Sequence, residues 1–154
     1  MTDWAHTGSL PDADVSVATL MDAEDVAHLL ETLGYPCARE DAANRILAIT
    51  DNHRQVLLLA RCGGVVCGLI SLDFMYYLPL DTTTCRITAM VVTPEAQGRG
   101  LGKQLLREAE RRGRAGGAAR IEITSGSQRT DAHKFYRDNG YSDGTVRFVK
   151  YLTA

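Results

Sequence analysis

From Arg86 to Thr124 the chain reads as a strand, a loop with glycine at alternate positions, an amphipathic helix and a second strand. That order sharply limits how the pieces can assemble. Arg86 to Val92 is apolar and strand-like and stops at Thr93-Pro94, because proline lacks the N–H that a ladder needs. Leu101, Leu105, Leu106 and Ala109 then recur at helical spacing and give one apolar face, with Glu108 four residues before Arg112 as a surface pair. Gly113 closes the helix, Gly116-Gly117 follows, and Arg120 to Thr124 reads as a strand. Strands joined through a crossover helix pair in parallel. Gly98, Gly100 and Gly102 sit where the helix begins, and backbone amides at a helix N-terminus attract anions. Glycines keep no side chain between those amides and a ligand, while Arg99 and Lys103 add positive charge at the rim. A pyrophosphate suits such a loop.

The remaining elements surround this unit. Val15 to Thr19 makes a short strand, and Asp22 begins a helix with Val26, Leu29, Leu30 and Leu33 on one face, ended by Gly34. Ala42, Ile46 and Ile49, with Arg45 on the same face, make a second helix that stops at Asp51-Asn52. Gln55 to Arg61 and Val65 to Phe74 read as antiparallel strands around a Gly63-Gly64 hairpin turn, with Tyr76 to Thr84 as the next connection. Asp131 is placed to cap a last helix with Ala132, Phe135 and Tyr136 on its face, and Asn139-Gly140 stops it. Tyr141 to Leu152 is expected to return as one or two strands. The fold class is α/β, a single mixed sheet flanked by about four helices. Residues 1–13 read as a loose leader in which Trp4 anchors to the body or to a partner, and residues 14–154 as one domain.

Composition narrows the functional classes. The 154 residues are 45% hydrophobic and 23% charged with a net charge of -2, so the chain can build a core without disulfides or metals. Its basic residues are scattered, which argues against nucleic acid as the main partner. No segment approaches the ~18 apolar residues of a membrane span, and a cytoplasmic location is expected. Cys37, Cys62, Cys67 and Cys85 lack zinc-site spacing and read as small buried hydrophobes in a reducing compartment. No metal is expected.

Two familiar phosphate loops fail on these residues. A Walker A loop requires glycine where Gln97 stands and a hydroxyl where Gln104 stands. A dinucleotide fingerprint requires G-x-G-x-x-G, whereas Gly98, Gly100 and Gly102 are spaced G-x-G-x-G. What fits is Gln-x-x-Gly-x-Gly after Val-Val-x-Pro, followed about thirty residues later by Ala-x-x-Phe-Tyr and then Asn-Gly-Tyr. In Met90-Val91-Val92, Gln97 to Gly102, and Asp131 to Tyr136 through Gly140-Tyr141, the chain resembles the GNAT superfamily of N-acetyltransferases.

That resemblance implies a mostly antiparallel central sheet with a splayed parallel pair, and acetyl-CoA as co-substrate. It implies that Met90, Val91 and Val92 supply backbone partners to the pantetheine arm, that an amide near Val91 or Val92 meets the thioester oxygen, and that Gln97, Gly98, Arg99, Gly100, Leu101, Gly102 and Lys103 hold the pyrophosphate. It implies Tyr136 as the general acid toward the departing thiolate, against the alternative of a core tyrosine. Thr88 stands where relatives often carry a glutamate, so the base is sought elsewhere: a water relay, Glu122 on the following strand, or His133. Arg129 replaces a common asparagine and is expected on the coenzyme phosphates or at the substrate mouth. Substrate selection falls to Gly34 to Glu40 and to Phe74 through Thr84, where Tyr76, Tyr77 and Asp81 would stack on an apolar substrate and pair with its amine, or else pack at a homodimer contact. The expected activity is direct acetylation of a primary amine, on a small molecule or a protein, in a ternary complex. The alternative classes are a non-catalytic acyl-CoA sensor and a nucleotide-binding domain.

Overall fold

The computed structural model describes residues 12–124 and 130–153. They fall into two compact units divided between Thr124 and Ser125. In the first unit the strands β1 (Asp14–Val17), β2 (Gln55–Cys62), β3 (Val65–Tyr77), β4 (Thr82–Val92) and β5 (Ala118–Ile123) form one sheet in sequence order. Neighbours are antiparallel from β1 to β4, and β4 pairs with β5 in parallel. Helices α1 (Ala23–Leu33) and α2 (Arg39–Thr50) lie between β1 and β2 in the chain, and α3 (Leu101–Ala115) is the crossover from β4 to β5. The second unit contains α4 (Thr130–Asp138). The mixed sheet, its one parallel pair and the four α-helices among the described residues agree with the expected class.

Each face of the sheet is covered by a helix stripe that the sequence period dictates. Val26 and Leu29 of α1 and Ala42 and Ile46 of α2 are buried with Leu57, Leu59, Leu69 and Val91 in one cluster. On the opposite face α3 buries Leu101, Leu105, Leu106 and Ala109. Each such leucine contributes roughly 1.5–3 kcal/mol by leaving water. Close approach of α3 depends on Gly68 of β3: a Cβ there would lie 3.0 Å from Leu105 Cδ1 and 3.3 Å from Leu101 Cδ2. The buried Asp22 ties the entry of α1 to the sheet, accepting from the Thr19 N–H at 2.8 Å and pairing with Arg61 of β2 at 2.5 Å. Arg45, expected on the buried face of α2, is exposed. A guanidinium without a partner is too costly to bury, so the side chain stays in water.

Several boundaries differ from expectation. The pairing of β3 with β4 runs on through Tyr76↔Thr83 and Tyr77↔Thr82, so the connection shrinks to a 3-10 turn at Leu78–Leu80 and Asp81. Tyrosines and threonines are strand formers, and a register already established extends as long as they last. Asp131 lies in the first turn of α4, whose first residue is Thr130. The strands expected over Tyr141 to Leu152 are absent: among the described residues, 141–153 has no regular secondary structure, and Val146, Phe148, Tyr151 and Leu152 stand exposed. Alternating apolar residues make a strand only where another backbone offers a ladder. Trp4 and the rest of the leader through residue 11 lie outside the described residues, as does Arg129.

Candidate active site

The parallel pairing ends at Ile87↔Ile123, yet β4 continues to Val92. Beyond that point β4 keeps β3 on one side only among the described residues. The Thr93 N–H donates to the Cys67 carbonyl of β3 at 2.9 Å, so strand alternation turns the amides of Met90 and Val92 away from β3. Val91 is committed elsewhere, its side chain buried beneath α1 and α2. Of the three residues singled out in the sequence, Met90 and Val92 therefore turn their amides toward the side of β4 that has no strand partner among the described residues.

The chain then enters the glycine loop through a 3-10 turn at Pro94–Ala96. Gln97 folds its side chain back, donating from Nε2 to the Val92 carbonyl at 3.0 Å, which closes the turn. Gly98 and Gly100 adopt φ of 75° and 87°. No atom lies within 4 Å of a Cβ built at either residue, so it is the left-handed backbone that selects glycine here. The first helical bond runs from the Gln104 N–H to the Gly100 carbonyl at 3.1 Å, and the amides of Leu101, Gly102 and Lys103 have no acceptor within the helix. Lys103 is exposed beside them and Arg99 is half-buried. A groove of about 520 Å³ leads from Gly100, Lys103 and Gln104 toward Ala13, whose N–H donates to Gln104 Oε1 at 2.6 Å. Outward amides at a positive helix end, with a lysine at the rim, fit a polyanion.

On the face opposite α3, Thr88 is the extra residue of a bulge between the pairs Ser71↔Ala89 and Leu72↔Ile87. Its hydroxyl donates to Ser71 Oγ at 2.9 Å, so the position where a glutamate was sought is held by a hydroxyl pair. Just before the parallel pairing ends, Arg86 and Glu122 are register partners and form an ion pair at 2.8 Å. Arg120 approaches the other Glu122 oxygen at 3.7 Å, donates from Nε to Thr84 Oγ1 at 3.0 Å, and lies 4.0 Å from the centre of the Tyr77 ring. Tyr77 thus joins this cluster. Tyr76 and Asp81, expected beside it, form their own exposed hydrogen bond at 2.7 Å, and that bond holds the Tyr76 hydroxyl above its ordinary pKa. Adjacent strand residues face opposite sides, which separates Tyr76 from Tyr77. Arg86, Arg120 and Thr84 were not singled out in the sequence, because only the β4–β5 register brings them together.

In the second unit Tyr136 is half-buried on α4, its ring 5.4 Å from that of Phe135 and 6.0 Å from that of Tyr141. His133 is half-buried on the same helix. Cys62, Cys67 and Cys85 are buried and Cys37 half-buried, all unbridged. Burial, reinforced by Cys62 beside it, pushes the Cys67 thiol up to about 12, and burial raises Cys85 to about 11. Both thiols stay neutral at physiological pH and are poor nucleophiles. No group of three potential metal ligands occurs among the described residues, and no helix there is long and apolar enough to cross a membrane.

A mixed sheet with a parallel β4–β5 pair and a glycine-rich helix entrance is the frame for comparison with known proteins. Residues 22–141 match the model of the Acetyltransferase (GNAT) family. The chain belongs to that family. It is an N-acetyltransferase by class, 32% identical over 148 residues to the aminoalkylphosphonate N-acetyltransferase of Salmonella typhimurium, with 93% of this chain and 94% of the relative covered. A GNAT family acetyltransferase from Staphylococcus aureus superposes with a TM-score of 0.80 at 26% identity, covering 92% of this chain and 100% of the other. An aminoglycoside N-acetyltransferase solved in complex with CoA shares the fold, with a TM-score of 0.80 at 18% identity and coverage of 96% and 99%. The family uses acetyl-CoA.

Proposed function

We propose that residues 14–154 act as one catalytic domain that transfers the acetyl group of acetyl-CoA directly to a small primary amine while both are bound. The observation that carries this is the continuity of the unpaired β4 edge at Met90 and Val92 with the outward amides of Leu101, Gly102 and Lys103. When bound, acetyl-CoA supplies an activated acetyl thioester and a pyrophosphate. Met90 and Val92 offer N–H donors to an extended arm, and an amide of this edge stabilises oxygen charge as it develops. The loop from Gln97 to Lys103 binds the pyrophosphate, with Arg99 and Lys103 adding charge and Gln97 fixing the turn. Arg129 serves the same phosphates. The activity belongs to the cytoplasm.

Two protons must move. An alkylamine with pKa ~10.4 costs roughly 4–5 kcal/mol to deprotonate at pH 7. Glu122, in the last parallel pair but one, is the base in this proposal, and the Tyr136 hydroxyl is the acid toward the leaving sulfur. The similarity to the Salmonella enzyme supports an acceptor of the aminoalkylphosphonate class, a small amine carrying a phosphonate. Release of coenzyme A thiol, followed across a panel of amines, tests the reaction. Tyr136→Phe is expected to lower turnover about 100-fold while acetyl-CoA affinity holds. Unchanged turnover across the pH range would remove Tyr136 from the mechanism.

A further inference from the structure

We infer that Arg86 and Arg120 form the subsite that grips the phosphonate oxygens of the acceptor, an assignment that rests on the acetyl-transfer reading above. Four residues of adjacent parallel strands share one sheet face in two register pairs, Thr84↔Arg120 and Arg86↔Glu122. Cys85, between them on β4, faces the other way and would touch a Cβ placed on Gly113 of α3. The cluster is therefore on the face of α1 and α2 but outside their cover, with Arg86 and Arg120 side chains 45% and 40% exposed.

Charges of both signs meet there. Two guanidiniums converge on one carboxylate, Arg86 at 2.8 Å and Arg120 at 3.7 Å from Glu122. Asp73, the register partner of Arg86 across β3, makes no ion pair among the described residues and adds a carboxylate to the same face. Both signs of charge are thus displayed together, as a zwitterionic acceptor requires. Arg120 is held in orientation by its Nε bond to Thr84 and by Tyr77 beneath its plane. Arg86 gives its Nε and one terminal nitrogen to Glu122 Oε1. A planar guanidinium fixed in this way is prepared for the paired oxygens of a phosphonate, and a lysine could not copy its fork.

Position completes the case. Arg86 precedes Thr88 by two residues, roughly 7 Å of extended chain, and pairing with β5 stops one residue after Arg86. A molecule whose amine and phosphonate are separated by one or two carbons can put the oxyanion on the arginines and the amine beside the stretch of β4 that follows the last parallel pair, with Glu122 between them.

Steady-state kinetics on the full chain with acetyl-CoA tests this, using 2-aminoethylphosphonate against propylamine, which has a methyl group in place of the phosphonate. The wild type should prefer the phosphonate by on the order of 100-fold in kcat/KM, and Arg86→Gln should erase most of that preference through the KM for the phosphonate, read as the ratio of the two amines because the loss of Glu122's partner alters turnover of both alike. Arg86→Lys should recover only part of it, and ethylphosphonate should compete with the amine in the wild type alone. Equal use of both amines by the wild type would overturn the subsite and leave acetyl transfer standing. An equal loss on both amines in Arg86→Gln, with acetyl-CoA binding retained, would also overturn it by making Arg86 a general structural residue. No acetylation of any amine would instead refute the underlying reaction.

Discussion

At the N-terminus of α3 the groups turned outward are backbone amides, whereas around Arg86 they are the tips of long side chains on two different strands. The first region is set by local conformation: Gly98 and Gly100 at φ of 75° and 87°, with the Gln97 side chain closing the turn onto Val92. The second is set by sheet register, since Arg86 and Glu122 are 36 residues apart in the chain and meet only because β4 and β5 pair in parallel. A backbone-built site tolerates changes in its side chains and fails when its dihedral angles are altered. A side-chain-built site behaves in the opposite way. This division suits an enzyme family with a shared cofactor and differing acceptors.

The largest effect should come from Gly100→Val. Nothing stands in the way of a side chain there, so the damage is to the backbone itself. Holding a β-branched residue at this φ costs of order 1–3 kcal/mol. Re-aiming amides that bind charged oxygens removes about 3 kcal/mol of cofactor binding, or on the order of 100-fold in acetyl-CoA Kd by calorimetry. If instead Gly100→Val binds the cofactor normally, the loop does not act through its backbone. The Arg86→Gln experiment is the counterpart on the acceptor side, where a side chain is removed and cofactor affinity should not move.

The smallest effect should come from Glu108→Gln, on α3 farther along the groove that begins at Gly100 and Lys103. Arg111 above all, with Arg112, holds the Glu108 carboxyl below the ordinary carboxylate range. A folded pKa below the unfolded one stabilises above the unfolded value near ~4.3, and that contribution is lost as pH falls through the folded value. Solvent screens the pair, so the variant should lose under ~1 kcal/mol at pH 7 and match the wild type in acid. A pH-independent difference in thermal unfolding would show that packing, rather than charge, is at stake.

The same division explains what could be read in advance. The strand, loop, helix and strand from Arg86 to Thr124 were legible because each depends on residues near one another: Pro94 as a stop, alternate glycines, and the stripe Leu101, Leu105, Leu106 and Ala109. Met90, Val91 and Val92 were named through the resemblance, and only the β3 register separates the amides of Met90 and Val92, which turn away from β3, from that of Val91. The cluster of Arg86, Arg120, Thr84 and Tyr77 was not legible, since a charged residue in a strand looks solvated until its cross-strand partner is known. Tyr76 and Tyr77 were expected to act together because the hairpin was expected to be a loop. As strand neighbours they face opposite sides. The strands expected over Tyr141 to Leu152 failed for a related reason, since a segment's own residues supply no pairing partner.

The most direct test of a backbone-built cofactor site is a titration of the 15N-labelled chain with coenzyme A, followed through its amide resonances. The account predicts the largest shifts at Met90, Val92, Leu101, Gly102 and Lys103, with little change at Arg86 and Arg120. Saturable binding that left those five amides unmoved would contradict it.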